Sequence, residues 1–322
     1  MSETSIDQWF AEQGWKPLPF QKKTWKAYAA GKSGFVNAPT GSGKTYALWG
    51  GIIQEALAKP PKKGLQALWI TPLKALAVEI QQSTQRMSQH FDPKWKVDLR
   101  TGDTPSAARA KQRKRPNFGL VTTPESLHLL LGSKEHKAYF SNLQCIVIDE
   151  WHELMGSKRG VQIELALAYL KSFLPQLKVW GISATIGNLD LAQEILLGAD
   201  AEQAVRVVSL RKKTIKVKSL VPKNMERFPW RGHLGLHLLN EVVKVVERSR
   251  STLVFTNTRA QCEIWFQRLL EAHPDWAGQM AMHHGSMNKE TRLWVEEALR
   301  NDRLKLVVCT SSLDLGVDFS PV

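Results

Sequence analysis

Short apolar runs alternate along the first part of the chain with longer stretches whose apolar residues recur at helical spacing. This alternation predicts a parallel, doubly wound α/β sheet whose two faces are both covered by helices. The apolar runs lie at 34–38, 67–71, 119–122, 145–149 and 179–183, and the helical patterns lie at 46–58, 73–87, 125–131 and 161–170. Ligands of such sheets bind at the carboxyl ends of the strands, where Thr71, Thr122, Asp149 and Ser183 stand.

A second series of the same kind follows a looser stretch at 204–230, which contains two prolines and three consecutive basic residues. Its helical patterns lie at 234–246, 260–271 and 289–299, and its apolar runs lie at 252–255, 279–283 and 304–309. The chain is therefore predicted to hold two α/β domains, at 1–205 and 206–322, which agrees with its length.

The stretch between the first predicted strand and the following helix has the sequence Ala-Pro-Thr-Gly-Ser-Gly-Lys-Thr, residues 38–45. A strand, a glycine-rich turn and a helix that begins with Lys-Thr form the P-loop arrangement, which binds polyphosphates through backbone N–H groups. Lys44 is placed to contact the β- and γ-phosphates of ATP, and the Thr45 hydroxyl is placed to bind Mg²⁺. The residues predicted to hold the nucleotide are Thr40, Gly41, Ser42, Gly43, Lys44 and Thr45. Ala38 replaces the usual first glycine, and the alternative is a Gly/Ser turn that ends in Lys-Thr by chance.

The apolar run that begins at Cys145 ends in Asp149-Glu150-Trp151-His152. In ATP hydrolysis Asp149 would hold Mg²⁺ beside Thr45, and Glu150 would orient and deprotonate the attacking water. The alternative is a solvated acidic turn in which His152 is a surface histidine. The P-loop earlier in the same predicted sheet favours the catalytic interpretation.

The charge of the chain is less ordinary than its composition. Hydrophobic residues make up 43% and charged residues 23%, but the formal net charge is +14 and the pI is about 9.7. This excess favours a polyanionic partner, nucleic acid before an anionic membrane surface. No apolar run approaches the ~18 residues of a membrane span, and the first ten residues lack a secretory signal. The three cysteines are expected to be buried thiols of an intracellular protein, not a disulfide framework or a metal site.

Shorter motifs join these two stretches in an order that resembles the superfamily 2 DExH-box helicases over most of the chain. The matching segments are Gln21 after Trp15 (the Q motif), 39–45 (motif I), 71–76 (motif Ia), 101–103, 123–125, 149–152 (motif II), 183–185 (motif III), 254–259 (motif IV), 283–286 and 310–318 (motif V). Thr-Gly-Asp-Thr-Pro, Asp-Glu-Trp-His and Ser-Ala-Thr-Ile-Gly are most similar to the Lhr (large helicase-related) group, in particular its short bacterial members encoded beside a DNA ligase.

The resemblance implies two tandem RecA-like domains, with ATP and Mg²⁺ as cofactors. It implies Lys44, Asp149, Glu150 and His152 as catalytic residues, Gln21, Gly316 and Asp318 as further nucleotide contacts, and Ser183 and Thr185 as residues that couple hydrolysis to movement. The phosphates of a single strand would be held by Thr71, Lys74, Gly102, Thr123, Glu125, Arg259, Ser286 and Thr310. It further implies 3′-to-5′ movement on single-stranded DNA and unwinding of DNA or RNA–DNA duplexes in repair. The setting would be the bacterial cytoplasm near the nucleoid, with partners such as a DNA ligase or a nuclease.

The resemblance stops after motif V. The family's next motif, which contains Q-x-x-G-R-x-G-R, does not occur before Val322. Because an arginine finger contributes about 10³–10⁵ in rate, we expect the second domain to be incomplete and residues 1–322 to bind nucleotide but hydrolyse it poorly.

Several features allow a structural interpretation beside the functional one. Thr-Pro at 71–72 and at 123–124 could simply begin helices, and His283 and His284 are expected to be structural because they lack metal-ligand spacing. The basic run at 109–115 could contact nucleic acid or form a solvated helix face, and most of the 12 tryptophans are expected to pack. The alternatives to a DNA helicase are an RNA helicase and an ATP-gated clamp that does not unwind.

Overall fold

The computed structural model describes residues 4–184, 186–209, 216–220 and 235–313. The chain divides into two compact units, Met1–Lys213 and Thr214–Val322. Each unit contains a sheet whose described strands are parallel to their neighbours. The predicted α/β class with parallel sheets is therefore confirmed.

The first unit is built on a seven-stranded parallel sheet. Its strands are β1 Gly34–Asn37, β2 Ala67–Ile70, β3 Val97–Arg100, β4 Gly119–Thr122, β5 Cys145–Ile148, β6 Lys178–Ser183 and β7 Val205–Val208. Their order in the sheet is β3-β4-β2-β5-β6-β1-β7. Asn37 pairs with Ser183, and Ile148 pairs with Gly181, so the carboxyl ends of β1, β6 and β5 lie side by side.

Helices cover both faces of this sheet. They are α1 Thr4–Glu12, α2 Pro19–Ala29, α3 Lys44–Ala58, α4 Lys74–Phe91, α5 Ser106–Lys114, α6 Pro124–Leu131, α7 His136–Phe140, α8 Trp151–Leu154, α9 Lys158–Phe173 and α10 Leu189–Leu197. Side chains of α1 to α4 form one core with Trp69 and Val36, and side chains of α6 to α10 form another with Leu68 and Phe35. Because neighbouring strand residues point to opposite faces, the two cores lie on opposite sides of the sheet.

The second unit repeats this design on a smaller scale. Its described strands are β8 Thr252–Phe255, β9 Met280–His283 and β10 Leu306–Cys309, and its helices are α11 Leu239–Arg248, α12 Arg259–Ala272 and α13 Lys289–Arg300. The strand order is β8-β10-β9. Two side-chain caps fix helix starts, because Thr258 accepts a hydrogen bond from the N–H of Gln261, and Asn288 accepts one from Thr291.

Several elements of the first unit are not evident in the sequence pattern, among them α1, β3, α7, α8, α10 and β7. The strand β3 has the sequence Val-Asp-Leu-Arg and lies at the edge of the sheet, where only one side is paired to another strand. Glutamine side chains satisfy its backbone instead: Gln81 donates to the carbonyl of Val97 (2.8 Å) and Gln85 accepts from its N–H (2.6 Å). These contacts cover the first residue of an edge that could otherwise pair with another chain.

Within the described ranges, no helix is both long and apolar enough to cross a membrane. The three cysteines are buried thiols, and none of them forms a disulfide.

Candidate active site

The P-loop joins β1 to α3 at the carboxyl edge of the first sheet. Gly41 and Gly43 have φ values of 72° and 79°, a conformation that glycine adopts without steric cost. The Ser42 hydroxyl donates to the carbonyl of Pro39 (2.6 Å), which closes the turn. Gly43 precedes α3 and has no side chain to cap it, so the first N–H groups of the helix are available to an anion.

Gln21 braces this turn from α2. Its Oε1 accepts a hydrogen bond from the N–H of Leu18 (2.7 Å), and its Nε2 donates to the carbonyl of Gly43 (2.9 Å). A Cβ at position 43 would lie 2.7 Å from Gln21 Nε2, so the contact also requires glycine there. The structure thus shows Gln21 holding the P-loop, whereas its predicted contact with the nucleotide stays a prediction.

The acidic pair follows β5, with β6 between it and the P-loop strand β1. Asp149 is buried, and both of its oxygens accept hydrogen bonds: Oδ1 from the N–H of Glu150 (2.9 Å) and Oδ2 from the indole Nε1 of Trp69 (3.1 Å). Burial, and then the neighbouring charge of Glu150, raise the pKa of Asp149 to about 7. Sequence reasoning missed Trp69, since only the register of β2 against β5 brings its ring to Asp149.

Polar contacts connect the P-loop to β6 through the acidic pair. The Nζ of Lys44 lies 3.3 Å from Oε1 of Glu150, and Oε2 of Glu150 lies 3.4 Å from Nδ1 of His152. The same Nδ1 is 2.9 Å from the hydroxyl of Ser183. Glu150 has a φ of 44°, a conformation that costs a non-glycine residue about 1–3 kcal/mol and clusters at active sites. Ser183 therefore contacts motif II directly, while Thr185 lies outside the described residues.

The donor set suits a nucleotide with its metal ion. Free N–H groups at the start of α3 and the ammonium of Lys44 favour phosphate, and the carboxylate of Asp149 and the hydroxyl of Thr45 are oxygen ligands of the kind Mg²⁺ prefers. Among the described residues no group of three His, Cys, Asp or Glu side chains could hold a metal ion. Mg²⁺ usually needs fewer, because it binds through one or two carboxylates together with substrate phosphates. The residues present therefore fit Mg²⁺ and ATP.

The predicted nucleic-acid contacts of the first unit fall into two groups. Lys74, at the start of α4, forms an exposed ion pair with Asp103 (2.7 Å), and a Cβ at Gly102 would lie 3.6 Å from the same ammonium. The motif Ia lysine and the Thr-Gly-Asp loop therefore meet at one place. Thr71 is fully buried, and its hydroxyl is without a hydrogen-bond partner among the described atoms.

The second group lies at the start of α6. The Thr123 hydroxyl contacts that of Ser126 (3.3 Å), and Glu125 forms a two-pronged ion pair with Arg159 (2.7 and 3.3 Å). Burial opposes ionisation of Glu125, but hydrogen bonds from its own N–H, from Arg159 and from Thr123 outweigh it and lower its pKa. Sequence reasoning missed Arg159, which carries the positive charge beside this acidic residue.

The cations of the basic run at 109–115 have two different kinds of surroundings. The guanidinium of the buried Arg100 donates to the carbonyl of Arg109 (3.2 Å), and Nε of Arg109 donates to that of Thr104 (2.7 Å), so Arg109 braces the loop that carries Gly102. The other cations of the run are exposed: Lys111, Arg113, Lys114 and Arg115.

In the second unit, two of the predicted nucleic-acid contacts touch each other. The guanidinium of Arg259, at the start of α12, donates to the hydroxyl of Ser286. Thr310 follows β10 and its N–H donates to the carbonyl of His283 (3.1 Å). His283 is buried between Ser312 (2.7 Å) and Glu296 (3.3 Å), which agrees with a structural role. Gly316 and Asp318 lie outside the described residues.

Comparison with known proteins identifies the family. Residues 18–192 match the model of the DEAD/DEAH box helicases, and residues 236–322 match that of the helicase conserved C-terminal domain. The ATP-dependent helicase Lhr-Core of Sulfolobus acidocaldarius is 32% identical over 331 residues, which cover 97% of this chain and 37% of the relative. The Lhr helicase/uracil glycosylase of Escherichia coli is 30% identical, with 98% of this chain and 24% of that protein covered.

A solved structure shows the same architecture. The Mycobacterium smegmatis helicase Lhr bound to ssDNA and AMP-PNP superposes with a TM-score of 0.79 and 31% identity, covering 99% of this chain and 43% of that chain. The predicted tandem RecA-like fold is therefore confirmed. The chain spans between 24% and 42% of the length of the curated relatives it matches. The chain belongs to the DEAD/DEAH box helicase family of superfamily 2, and it is similar to the Lhr helicases.

Proposed function

We propose that this chain is an ATP-driven motor that moves along single-stranded nucleic acid and separates duplexes. The observation that carries the proposal is the approach of Lys44 Nζ to Glu150 Oε1 (3.3 Å), with the buried carboxylate of Asp149 beside it. A phosphate-binding turn and an acidic pair that meet at one edge of a sheet support hydrolysis of a nucleoside triphosphate.

The residues have distinct roles in this proposal. The N–H groups at the start of α3 and Lys44 bind the β- and γ-phosphates, and Thr45 and Asp149 hold Mg²⁺. When bound, Mg²⁺ neutralises charge on the phosphates. Glu150 takes the proton of the attacking water, and Gln21 keeps the turn in place through Gly43. The contact of His152 with Ser183 (2.9 Å) links the acidic pair to β6 and supports Ser183 as a coupling residue.

In each unit, the residues predicted to contact nucleic acid are proposed to bind the phosphates of one nucleic-acid strand. Hydroxyls and cations at helix starts, such as Lys74, Thr123 and Arg259, suit binding without sequence preference. The ssDNA in the structure of the M. smegmatis relative supports DNA as the track. Movement in the 3′-to-5′ direction, and a role in repair near the nucleoid beside a DNA ligase or a nuclease, are supported by the resemblance to Lhr helicases.

Strand displacement on tailed duplexes, by a protein that carries this chain together with the Q-x-x-G-R-x-G-R motif, tests this proposal. Duplexes of DNA, RNA and RNA–DNA hybrid, each with a 3′ or a 5′ tail, are compared at one salt concentration, since phosphate contacts make affinity steeply dependent on salt. We expect ATP-dependent displacement of duplexes that carry a 3′ tail of DNA. Displacement only from RNA tails would favour an RNA helicase, and ATP hydrolysis without displacement would favour an ATP-gated clamp.

A further inference from the structure

The side chain of Trp69 lies against the acidic pair from a neighbouring strand. Trp69 stands on β2, which pairs with β5 so that Ile70 lies opposite Ile148. The N–H of Asp149 donates to the carbonyl of Ile70 (2.8 Å), which holds the residue after β5 to β2. From this position the Nε1 of Trp69 donates to Oδ2 of Asp149 at 3.1 Å, and Trp69 is fully buried.

This hydrogen bond fixes the direction of the carboxylate. Oδ1 of Asp149 accepts from the backbone N–H of Glu150 (2.9 Å), and Oδ2 accepts from Trp69, so the two oxygens are held from different directions. A carboxylate oxygen has more than one acceptor site, so each can still bind a metal ion or a water that the metal carries. Donors that hold a metal-binding carboxylate in place strengthen metal binding, because the ligand does not have to be ordered when the metal arrives.

Other buried tryptophans show that packing alone does not account for the contact. Trp49 lies in the same core, 6.2 Å from the Trp69 ring, and its Nε1 donates to the hydroxyl of Ser88 (2.9 Å). The Nε1 of Trp180, on β6, has no hydrogen-bond partner among the described atoms. Of these three indole groups, the one on β2 donates to a residue of the active site.

We propose that Trp69 is a positioning residue that holds the carboxylate of Asp149 ready for the divalent cation of the bound nucleotide. The inference rests on the proposed function, since it assigns Asp149 to that cation. It concerns affinity for metal-bound nucleotide and not the affinity for nucleotide alone.

The test is calorimetric titration of Trp69→Phe and the wild-type protein with AMP-PNP, once with Mg²⁺ and once in EDTA. Removing such outer donors typically costs about 10- to 100-fold in metal affinity, so we expect Mg²⁺ to strengthen nucleotide binding about 10-fold less in the variant. The affinity measured in EDTA should equal that of the wild-type protein. An unchanged effect of Mg²⁺, or an equal loss of affinity with and without it, would overturn the inference.

Trp49→Phe is the matched control, because it removes an indole from the same core but leaves Asp149 untouched. We expect its Mg²⁺ effect to match that of the wild-type protein, and a reduction as large as that of Trp69→Phe would show general loosening of the core. If Trp69→Phe does not fold, site-specific replacement of Trp69 by 3-benzothienylalanine substitutes sulfur for the N–H group at nearly constant shape. A wild-type protein that binds no Mg²⁺·AMP-PNP would contradict the proposed function itself.

Discussion

The Nζ of Lys44 lies 3.3 Å from Oε1 of Glu150, and both side chains are nearly buried, with 10% and 12% of their surface exposed. The pair joins the start of α3 to the end of β5 across the intervening strand β6. Charges this deeply buried are costly unless paired, and here each side chain supplies the opposite charge that the other needs. A phosphate that enters the turn would meet a lysine whose charge is already held in place.

Lys44→Ala should weaken nucleotide binding. Charge-assisted hydrogen bonds contribute about 1.5–3 kcal/mol, so we expect the affinity for Mg²⁺·AMP-PNP to fall about 10- to 150-fold. Calorimetry measures this decrease, and Lys59→Ala, an exposed lysine just after the other end of α3, is the control. Wild-type affinity in Lys44→Ala would show that the P-loop does not bind the nucleotide.

Glu150→Gln should separate binding from hydrolysis. The amide keeps the shape of the side chain but cannot accept a proton from water, and general-base catalysis contributes about 10²–10⁴-fold. In a protein that carries this chain together with the Q-x-x-G-R-x-G-R motif, single-turnover hydrolysis of ATP should slow by a factor in this range, while AMP-PNP still binds. Glu135→Gln, on the exposed surface before α7, should hydrolyse ATP like the wild-type protein. A normal rate in Glu150→Gln would mean that another group activates the water.

The raised pKa of Asp149 should make folding stability depend on pH. Burial and the charge of Glu150 raise this pKa from 3.8 to about 7, so the folded protein retains a proton that the unfolded chain releases. The contribution is fully present below about pH 4, falls as the pH rises to about 7, and is lost above that. In EDTA the wild-type protein should therefore lose stability to urea across this window relative to Asp149→Asn. Parallel stability curves for the two proteins would show that Asp149 ionises normally.

Ser183→Ala should weaken the link between hydrolysis and unwinding. The hydroxyl of Ser183 lies 2.9 Å from Nδ1 of His152, and its removal leaves the P-loop and the acidic pair intact. In a protein that carries this chain together with the Q-x-x-G-R-x-G-R motif, we expect near-normal ATP hydrolysis but several-fold fewer base pairs unwound per ATP, measured by parallel hydrolysis and strand-displacement assays. Ser172→Ala, which removes an exposed hydroxyl bonded within α9, is the control. An unchanged ratio would assign Ser183 a purely structural role.

Substitution of the exposed cations on α5, and of Arg115 directly after it, tests whether this surface binds nucleic acid or is only a solvated helix face. If Lys111, Arg113, Lys114 and Arg115 bind phosphates, changing all four to Gln should flatten the dependence of ssDNA affinity on salt by about 0.7 in log–log slope for each phosphate that is no longer neutralised. Fluorescence anisotropy at several salt concentrations measures the slope. Lys23 and Lys26, exposed on α2, are changed to Gln as the control. An unaltered slope would leave α5 as a solvated helix face.

The sequence identifies the strand ends that carry the site, because the central strands are almost wholly apolar. The runs at 145–149 and 179–183, and the glycine-rich turn before α3, appear in the structure within one or two residues of their predicted bounds. The edge strand β3 is half polar, and its backbone is partly hydrogen-bonded by glutamines of α4. Because so few of its residues are apolar, the sequence pattern alone is too weak to identify it.

Contacts between strands far apart in the chain are harder to predict. Nothing in the sequence places β6 between β5 and β1, and so nothing predicts that Ser183 meets His152. The indole of Trp69 reaches Asp149 only through the register of β2 against β5. Arg159 was missed for the same reason, since α9 and α6 are brought together by packing that no local pattern records.

The most direct test of the account is a crystal structure of this chain with Mg²⁺ and AMP-PNP. We expect the β- and γ-phosphates to contact Lys44 and the first N–H groups of α3, and the metal ion to be held by Thr45 and Asp149. Nucleotide bound elsewhere, or a metal ion remote from both Thr45 and Asp149, would contradict it.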